Sequence, residues 1–433
     1  MTLTPFTLTT VLSTLYLAAA FVPEVSLVCF VVLAASAIPT DKAEVTSTPA
    51  TITVNTLQFL IIWLHPFLII QATGSLSSII VKSVPLDCYQ IIKCVVFLKN
   101  KIYSVKKMLF QNSKEPKTLL YAVAFILSMI IVLVLIPPLR RIALRMDFVD
   151  RPTSRKIHKE PVPHLASIAI FLGFMIPYIL LSKHWDKEMA GIIIGSLLIL
   201  GIGMIDDWYK TKGKDFGALP KTLIQVSAAV IVYSAGISFE GMSVPFSGHM
   251  IIFPEWLQFL LTILWIFGVT TVINFMDGLD GLSGGVSAIS ALTLFIVAIA
   301  KGQPQSAIMA IILIGITLGY LKYNKPPAKI YMGDAGATFI GFMLGIIALD
   351  GAFKQVTVIS ILVPVLALGV PIFDNIYVVI KRHLNGQPVY KADRSQIHYR
   401  LLSWGLSPKQ AVLFIYLISA CLSLSSIILM LLS

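Results

Sequence analysis

The chain contains 433 residues, of which 57% are hydrophobic and only 12% are charged, and its mean hydropathy is +0.87. Soluble globular chains carry about 25% charged residues, so this composition excludes a water-soluble enzyme and a disordered or nucleic-acid-binding chain. Lys and Arg outnumber Asp and Glu by 33 to 21, which gives a formal charge of +12. In a membrane protein with several spans, such an excess usually lies in cytoplasmic loops.

The first part of the chain shows no pattern that is typical of a reaction site. It holds nine Lys, no Arg and a Thr- and Ser-rich stretch, and its apolar runs lie near residues 5–22, 25–38, 56–72 and 86–98. We interpret residues 1–117 as an N-terminal extension of unknown role, whose apolar runs suit association with a membrane.

The rest of the chain is organised by long apolar segments. A membrane-spanning helix needs about 20 mostly apolar residues. Ten segments of this kind can be drawn, at residues 118–139, 163–182, 189–205, 222–239, 256–273, 282–300, 305–321, 335–349, 355–380 and 410–432. Residues 118–433 are therefore predicted to form an all-α domain that crosses the membrane about ten times.

The loops between these segments differ sharply in basic residues. Consecutive spans cross in opposite directions, so alternate loops lie on the same side. Twenty Lys and Arg fall in one set of loops and four in the other. The richer set comprises residues 140–162, 206–221, 274–281, 322–334 and 381–409. The positive-inside rule assigns that set to the cytoplasm.

The first cytoplasmic loop is rich in cations and prolines. Arg155, Lys156 and His158 lie between Pro152 and Pro161, and prolines stiffen the backbone that carries them. Arg offers forked donors to phosphate, and Lys offers a point charge. These three residues are candidates for phosphate binding; the alternative is an ordinary basic loop that only sets topology.

Two adjacent carboxylates, Asp206 and Asp207, end the third predicted span. Adjacent carboxylates repel each other unless a cation or proton lies between them. A helix directs neighbouring side chains differently, so one of the pair can reach a metal ion and the other a nucleophile. The alternative is a solvated helix end.

The stretch from Asn274 to Gly285 is the most informative. It contains Asp277 and Asp280 and four glycines, which permit close approach of the backbone to a ligand. In a helix, the spacing of three residues places both carboxylates on one face. The alternative is a Gly-rich turn whose Asp residues cap the sixth span.

Further candidates lie towards the C-terminus. Asp334 stands between glycines just before the eighth span, and Asp374 lies inside the ninth, where an ionisable group is costly unless it is paired or functional. The last cytoplasmic loop holds Arg394, His398 and Arg400. Several carboxylates among many cations on one side indicate a bound Mg²⁺ and a phosphorylated ligand.

Together these segments resemble, in order and spacing, the polyprenyl-phosphate N-acetylhexosamine-1-phosphate transferases, which are polytopic bacterial membrane enzymes. The resemblance spans residues 118–430. It rests on Asp-x-Pro-x-x-Arg-Lys-x-His-x-x-Pro-x-Pro at 150–163, Asp-Asp at 206–207, Asn-x-x-Asp-Gly-x-Asp-Gly at 274–281, Gly-Asp-x-Gly at 333–336 and Pro-Ile-Phe-Asp at 371–374.

The resemblance implies a reaction. A sugar-1-phosphate, by this likeness N-acetylglucosamine-1-phosphate, passes from a UDP-sugar to undecaprenyl phosphate and UMP is released. The family acts at the cytoplasmic face of the bacterial plasma membrane, requires Mg²⁺ or Mn²⁺, and initiates wall teichoic acid, lipopolysaccharide O-antigen or related glycans. Direct in-line attack and a covalent aspartyl-phosphate route both remain open.

The resemblance also implies roles for the candidate residues. Asp334 and one of Asp206 or Asp207 would bind the metal, and the other of that pair would orient or deprotonate the lipid phosphate. Asp277 and Asp280 would serve the reaction at the nucleotide end of the site. Substrate would be bound by Arg155, Lys156, His158, Asn274, Asp374, Arg394, His398 and Arg400.

The chain departs from the family pattern at two places. His164-Leu-Ala166-Ser167 stands where the family has Arg-x-Gly-Gly, and Gln396-Ile-His398-Tyr399 stands where it has His-x-His-His. These departures keep open a second hypothesis, a catalytically weakened relative that binds lipid phosphate or assembles with other enzymes. A transporter is a third hypothesis, disfavoured because transporter sites lie near the membrane midplane.

Overall fold

The computed structural model describes residues 117–151, 161–182, 185–214, 216–243, 250–352, 358–386 and 395–432. The prediction of an N-terminal extension falls almost wholly outside these residues. So do the predicted phosphate ligands Arg155, Lys156, His158 and Arg394.

Helices dominate the described part of the chain. They are α1 (Lys117–Arg145), α2 (Ala166–Leu181), α3 (Lys187–Thr211), α4 (Ala218–Ser234), α5 (Glu255–Met276), α6 (Leu282–Ala300), α7 (Pro304–Asn324), α8 (Gly333–Ala352), α9 (Val358–Ala367), α10 (Gly369–Leu384), α11 (Ile397–Ser403) and α12 (Pro408–Leu432). Seven of them are long and apolar enough to cross a membrane, and α2 and α4 are shorter apolar helices. The predicted all-α polytopic fold is confirmed.

The ninth predicted span, residues 355–380, is wrong as a single helix. The chain forms α9 and α10 instead, with a break at Leu368. Pro371 lacks the backbone N–H that would donate to the carbonyl of Ala367, and its ring would clash with that carbonyl in a continuous helix. The hydrophobic pattern alone does not reveal this break, because both halves are apolar.

Helix α8 lies at the centre of the domain and packs against α2, α3, α5, α6 and α7. Its side chains are almost entirely buried, with Phe339, Phe342 and Met343 in the main core. Helix α1, at the periphery, exposes large apolar side chains such as Ile126 and Val134. Because the chain is a membrane protein, these outer side chains face lipid.

Two glycines bring neighbouring helices close to α8. A Cβ atom on Gly203 of α3 would collide with Ala335, and a Cβ atom on Gly341 would lie 2.9 Å from the Cα atom of Thr270 in α5. Both contacts lie within a few turns of the N-terminus of α8. Close packing there draws the polar ends of α3 and α5 together around the first turn of α8.

Two small antiparallel strand pairs complete the described fold. Strand β1 (Val149–Asp150) pairs with β2 (Val162–Pro163), and β3 (Gly241–Ser243) pairs with β4 (Met250–Ile252). An isolated parallel bridge joins His164 to Tyr331. The first pair therefore closes the predicted phosphate loop and ties its base to the segment that leads into α8. The sequence patterns do not predict these strands.

Candidate active site

Two aspartates from different helices meet at the N-terminus of α8. Lys210 Nζ lies 3.1 Å from Asp206 Oδ2 and 2.7 Å from Asp334 Oδ1. Lys221 Nζ lies 2.8 Å from Asp206 Oδ2 and also donates to Asp334 Oδ2. Each ammonium group thus contacts both carboxylates, so the four side chains form one compact charged cluster.

The two lysines were not among the predicted site residues. Lys210 follows Asp206 by one helical turn, and this spacing places both side chains on the same face of α3. That pattern could have identified Lys210 from the sequence. Lys221 lies in the first turns of α4, and only the packing of α4 against α3 brings it to the cluster.

Asp207 has a different task from its neighbour. Its Oδ1 accepts from the backbone N–H of Asp334 at 2.8 Å, and its Oδ2 accepts from that of Ala335 at 3.1 Å. These N–H groups are at the start of α8, where no partner exists within the helix. Gly333 precedes them with a φ of +67° and has no room for a Cβ atom beside the Asp207 carboxylate. Asp207 therefore holds α8 against α3.

The end of α5 supplies an amide and a carboxylate. Asn274 Nδ2 lies 3.3 Å from Asp334 Oδ2, which joins the Asn-x-x-Asp motif to the charged cluster. Asp277 follows α5 and accepts a hydrogen bond of 2.6 Å from Ser283 Oγ. Burial raises the pKa of Asp277 to about 6, against the hydrogen bond from Ser283.

Asp280 supports the backbone of an adjacent loop. Its Oδ2 accepts from the N–H of Ala328 at 2.9 Å, and its Oδ1 accepts from the Tyr331 hydroxyl at 3.1 Å. Burial, followed by the charge of Asp280, raises the pKa of Tyr331 above its usual value. The two carboxylates of the Asp-Gly-x-Asp motif therefore contact different partners.

Asp374 lies within α10 and contacts the start of α11. Its Oδ1 accepts from the N–H of Ile397 at 2.8 Å and lies 3.3 Å from Arg400 Nη2. The Arg400 guanidinium also stacks on Tyr377, 4.1 Å from the ring centroid. Two of the predicted substrate-binding residues, Asp374 and Arg400, thus contact each other. Their contact, together with the hydrogen bond to Ile397, holds the short helix α11 against α10.

His398 is fully buried on α11, and neither of its ring nitrogens has a hydrogen-bond partner. A Cβ atom on Gly278 would overlap its ring, so the glycine lets the imidazole pack on the Asp277–Asp280 turn. Burial lowers the pKa of His398 to about 4. The ring is therefore uncharged at neutral pH and carries a single N–H donor.

The residues that depart from the family pattern at the start of α2 are accommodated. Ala166 and Ser167 are buried, and Ser167 Oγ lies 3.3 Å from Met204 Sδ of α3. His164 Nε2 lies 3.6 Å from Asp150 Oδ2, and the imidazole meets Tyr331 edge to face with centroids 5.4 Å apart. His164 therefore borders the same group of loops.

The chemistry of the donor set suits a hard cation. Among the described residues, no three His, Cys, Asp or Glu side chains are grouped to hold a metal ion by themselves. Mg²⁺, however, usually binds through one or two carboxylates and takes its other ligands from water and substrate phosphates. Asp206 and Asp334 with the Asn274 amide fit that requirement. Both oxygens of Asp207 already accept backbone hydrogen bonds.

Comparison with known proteins places the chain among membrane transferases. Residues 189–352 match the family model for glycosyl transferase family 4. The chain is 39% identical over 315 residues to a protein of Bacillus subtilis strain 168 named as a probable undecaprenyl-phosphate N-acetylglucosaminyl 1-phosphate transferase, with 73% of this chain and 86% of that protein covered.

More distant relatives include two kinds of enzyme. The chain is 29% identical over 65% of its length to a decaprenyl-phosphate N-acetylglucosaminephosphotransferase of Mycobacterium tuberculosis, of which 75% is covered. It is 27% identical over 65% of its length to a phospho-N-acetylmuramoyl-pentapeptide-transferase of Bacillus cytotoxicus, of which 88% is covered. Of these three proteins, the B. subtilis protein has the highest sequence identity to the chain.

Proposed function

The chain belongs to the polyprenyl-phosphate N-acetylhexosamine-1-phosphate transferases, and we propose that it transfers N-acetylglucosamine-1-phosphate from UDP-N-acetylglucosamine to undecaprenyl phosphate. UMP is the second product. The names of the relatives support N-acetylglucosamine phosphate as the transferred group, and UDP as its carrier follows from the family resemblance. The site lies on the cytoplasmic side, which the excess of Lys and Arg in the loops around it supports. The lipid-linked product would initiate a cell-wall or surface glycan.

The cluster of Asp206, Asp334, Lys210 and Lys221 is the observation that carries this proposal. Phosphoryl transfer requires that negative charge on two phosphorylated substrates be neutralised and that reacting atoms be aligned. The cluster joins two lysines and two carboxylates from α3, α4 and α8. It lies beside the turn formed by residues 277–281, where a nucleotide sugar would bind.

We assign Asp206, Asp334 and the Asn274 amide as the protein ligands of Mg²⁺ or Mn²⁺. When bound, such an ion polarises the phosphoryl group and stabilises the leaving phosphate. Lys210 and Lys221 then bind phosphate oxygens, because both ammonium groups already lie beside the carboxylates of Asp206 and Asp334. Asp207 positions the metal site by fixing the first turn of α8.

The acceptor needs little activation. A phosphate monoester has a second pKa of about 6, so undecaprenyl phosphate is mostly a dianion at neutral pH. Its oxygen attacks the donor phosphorus that carries the sugar, and the bond from that phosphorus to the bridging oxygen breaks to release UMP. In direct in-line attack, the dianion leaves no proton for a base to remove.

The test measures UMP release by the full chain in detergent with undecaprenyl phosphate, Mg²⁺ and UDP-N-acetylglucosamine. We expect release by the wild type and a loss of about 10²- to 10³-fold in kcat/KM for Asp206→Asn, because one charged ligand is removed.

Asp186→Asn is the matched control. Asp186 caps the opposite end of the same helix, where its side chain accepts from the N–H of Met189 at 2.8 Å, and Asn caps helices as well as Asp does. Full activity of Asp206→Asn would refute the metal assignment. No UMP release by the wild type with any UDP-aminosugar would refute the reaction and favour the hypothesis of a weakened relative.

A further inference from the structure

His164 is a buried polar group that the mechanism above does not use. Its side chain is only 15% exposed, and neither ring nitrogen has a hydrogen-bond partner. A buried donor without a partner costs free energy. Such a group at the border of an active site is therefore expected to have a partner in the bound state.

The ring is held in a defined orientation. Asp150 Oδ2 lies 3.6 Å from Nε2, and the Tyr331 ring packs edge to face at 82°. The backbone is fixed as well, because the N–H of His164 donates to Phe148 and the N–H of Tyr331 donates to Pro163. Tyr331 in turn donates to Asp280. His164 is thus anchored beside β1 and β2 and, through Tyr331, to Asp280.

The charges around the imidazole are consistent with anion binding. Asp150 faces it directly, with Oδ2 3.6 Å from Nε2 of the ring. A carboxylate beside one imidazole nitrogen orients the ring. An imidazole that carries protons on both nitrogens can donate from the other nitrogen to a phosphate oxygen, the charge-assisted type of hydrogen bond that binds phosphate most strongly.

We propose that His164 binds a phosphate oxygen of a substrate, with Asp150 as the positioning residue that orients its ring. This inference rests on the proposed function, because both substrates of that reaction carry phosphate. The phosphate belongs either to the lipid acceptor or to the diphosphate of the nucleotide sugar. The unsatisfied ring nitrogens, the oriented ring and the anchored backbone next to the Asp277–Asp280 turn carry the assignment.

The experiment compares His164→Ala, His164→Arg and Asp150→Asn with the wild type in UMP release, varying each substrate in turn. We expect His164→Ala to raise the KM of one substrate about 10- to 100-fold, as the loss of one charge-assisted hydrogen bond predicts. The substrate whose KM rises identifies the phosphate. His164→Arg restores a cationic donor and should recover most of the loss, and Asp150→Asn should shift the same KM by a smaller factor.

Two measurements separate phosphate binding from a structural role. His383→Ala, at the exposed C-terminal end of α10, is the control and should keep both KM values. Thermal unfolding checks that His164→Ala remains folded, and if it does not, His164→Arg and Asp150→Asn carry the test. Equal losses in His164→Ala and folded His164→Arg, or a fall in kcat alone with both KM values unchanged, would overturn the assignment.

Equilibrium binding distinguishes this inference from the proposed reaction. Wild type and His164→Ala are titrated with UDP-N-acetylglucosamine alone and with undecaprenyl phosphate alone. Weaker binding of one ligand by His164→Ala supports the phosphate contact even if the wild type shows no UMP release. Equal affinities for both ligands in the two proteins refute it even if the reaction is confirmed.

Discussion

Helix α8 carries an aspartate near each end, and the contacts of the two side chains differ. Asp334, in the first turn, contacts Lys210 and Lys221 and the amide of Asn274. Asp350, near the last turn, is buried and accepts a hydrogen bond from Ser306 Oγ. The first contacts charged and amide groups from several elements, and the hydroxyl that donates to the second belongs to α7.

Physical chemistry explains why a site forms at one end only. The first turn of a helix carries a partial positive charge and favours an anion, whereas the last turn disfavours one. The polar ends of α3 and α5 also converge at the first turn of α8, because Gly203 and Gly341 permit close packing there. The comparison teaches that a carboxylate marks a candidate site most clearly where lysines and further ligands from neighbouring helices meet it, as they do at Asp334.

The largest expected effect tests this contrast directly. Asp334→Asn should lower kcat/KM for UMP release by about 10²- to 10³-fold, because a charged ligand of the metal and a partner of both lysines is lost. Asp350→Asn is the matched variant, since the same change is made in the same helix. It should retain activity close to that of the wild type.

If both variants remain folded, as checked by thermal unfolding, equal losses of activity would show that the two ends of α8 do not differ in function. Full activity in Asp334→Asn would refute the assignment of Asp334 as a metal ligand.

A second prediction sharpens the comparison at the level of the cations. Lys221→Met should lower kcat/KM about 10- to 100-fold, the range for loss of a charged hydrogen-bonding group. Lys221→Arg keeps the charge and should lose less. Lys301→Met, at the C-terminal cap of α6, is the control, because no residue of the charged cluster lies on that turn. Similar losses for the Met and Arg variants at 221 would contradict a role for the charge.

Much of this arrangement follows from the sequence. Apolar segments of sufficient length predict the helices, and the asymmetry of Lys and Arg predicts which loops share a side. The motif residues Asp206, Asn274 and Asp334 do meet in space. The pattern of Asn, Asp and Gly therefore predicts much of the site, even though the residues lie far apart along the chain.

The remaining features depend on packing that a linear pattern does not contain. Asp207 and Asp206 are equivalent in the sequence, yet one caps α8 and the other joins the lysines, because the helix turns them in different directions. Lys221 reaches the cluster only through the contact of α3 with α4. The break at Leu368 depends on backbone geometry at a proline within an otherwise apolar run.

The last prediction concerns stability rather than activity and again separates the two ends. His398 is buried at the site end without a hydrogen-bond partner, and burial lowers its pKa to about 4 from the ordinary value of 6.5. Between these values the unfolded chain binds a proton more readily than the folded chain, so the free energy of unfolding falls as the pH decreases from 6.5 to 4. The shift corresponds to about 3 kcal/mol.

His398→Gln removes this titration. The difference in free energy of unfolding between the wild type and the variant therefore isolates the contribution of His398 from that of other groups. Asp277 acts in the opposite sense: its raised pKa of about 6 stabilises the folded chain as the pH falls through the same range, but it contributes equally to both proteins. Thermal unfolding in detergent between pH 7.5 and pH 4 should show the wild type losing stability relative to the variant. Parallel curves would mean that the imidazole gains a partner or water on protonation, and that the orphan nitrogens of the site end are not the source of its sensitivity to pH.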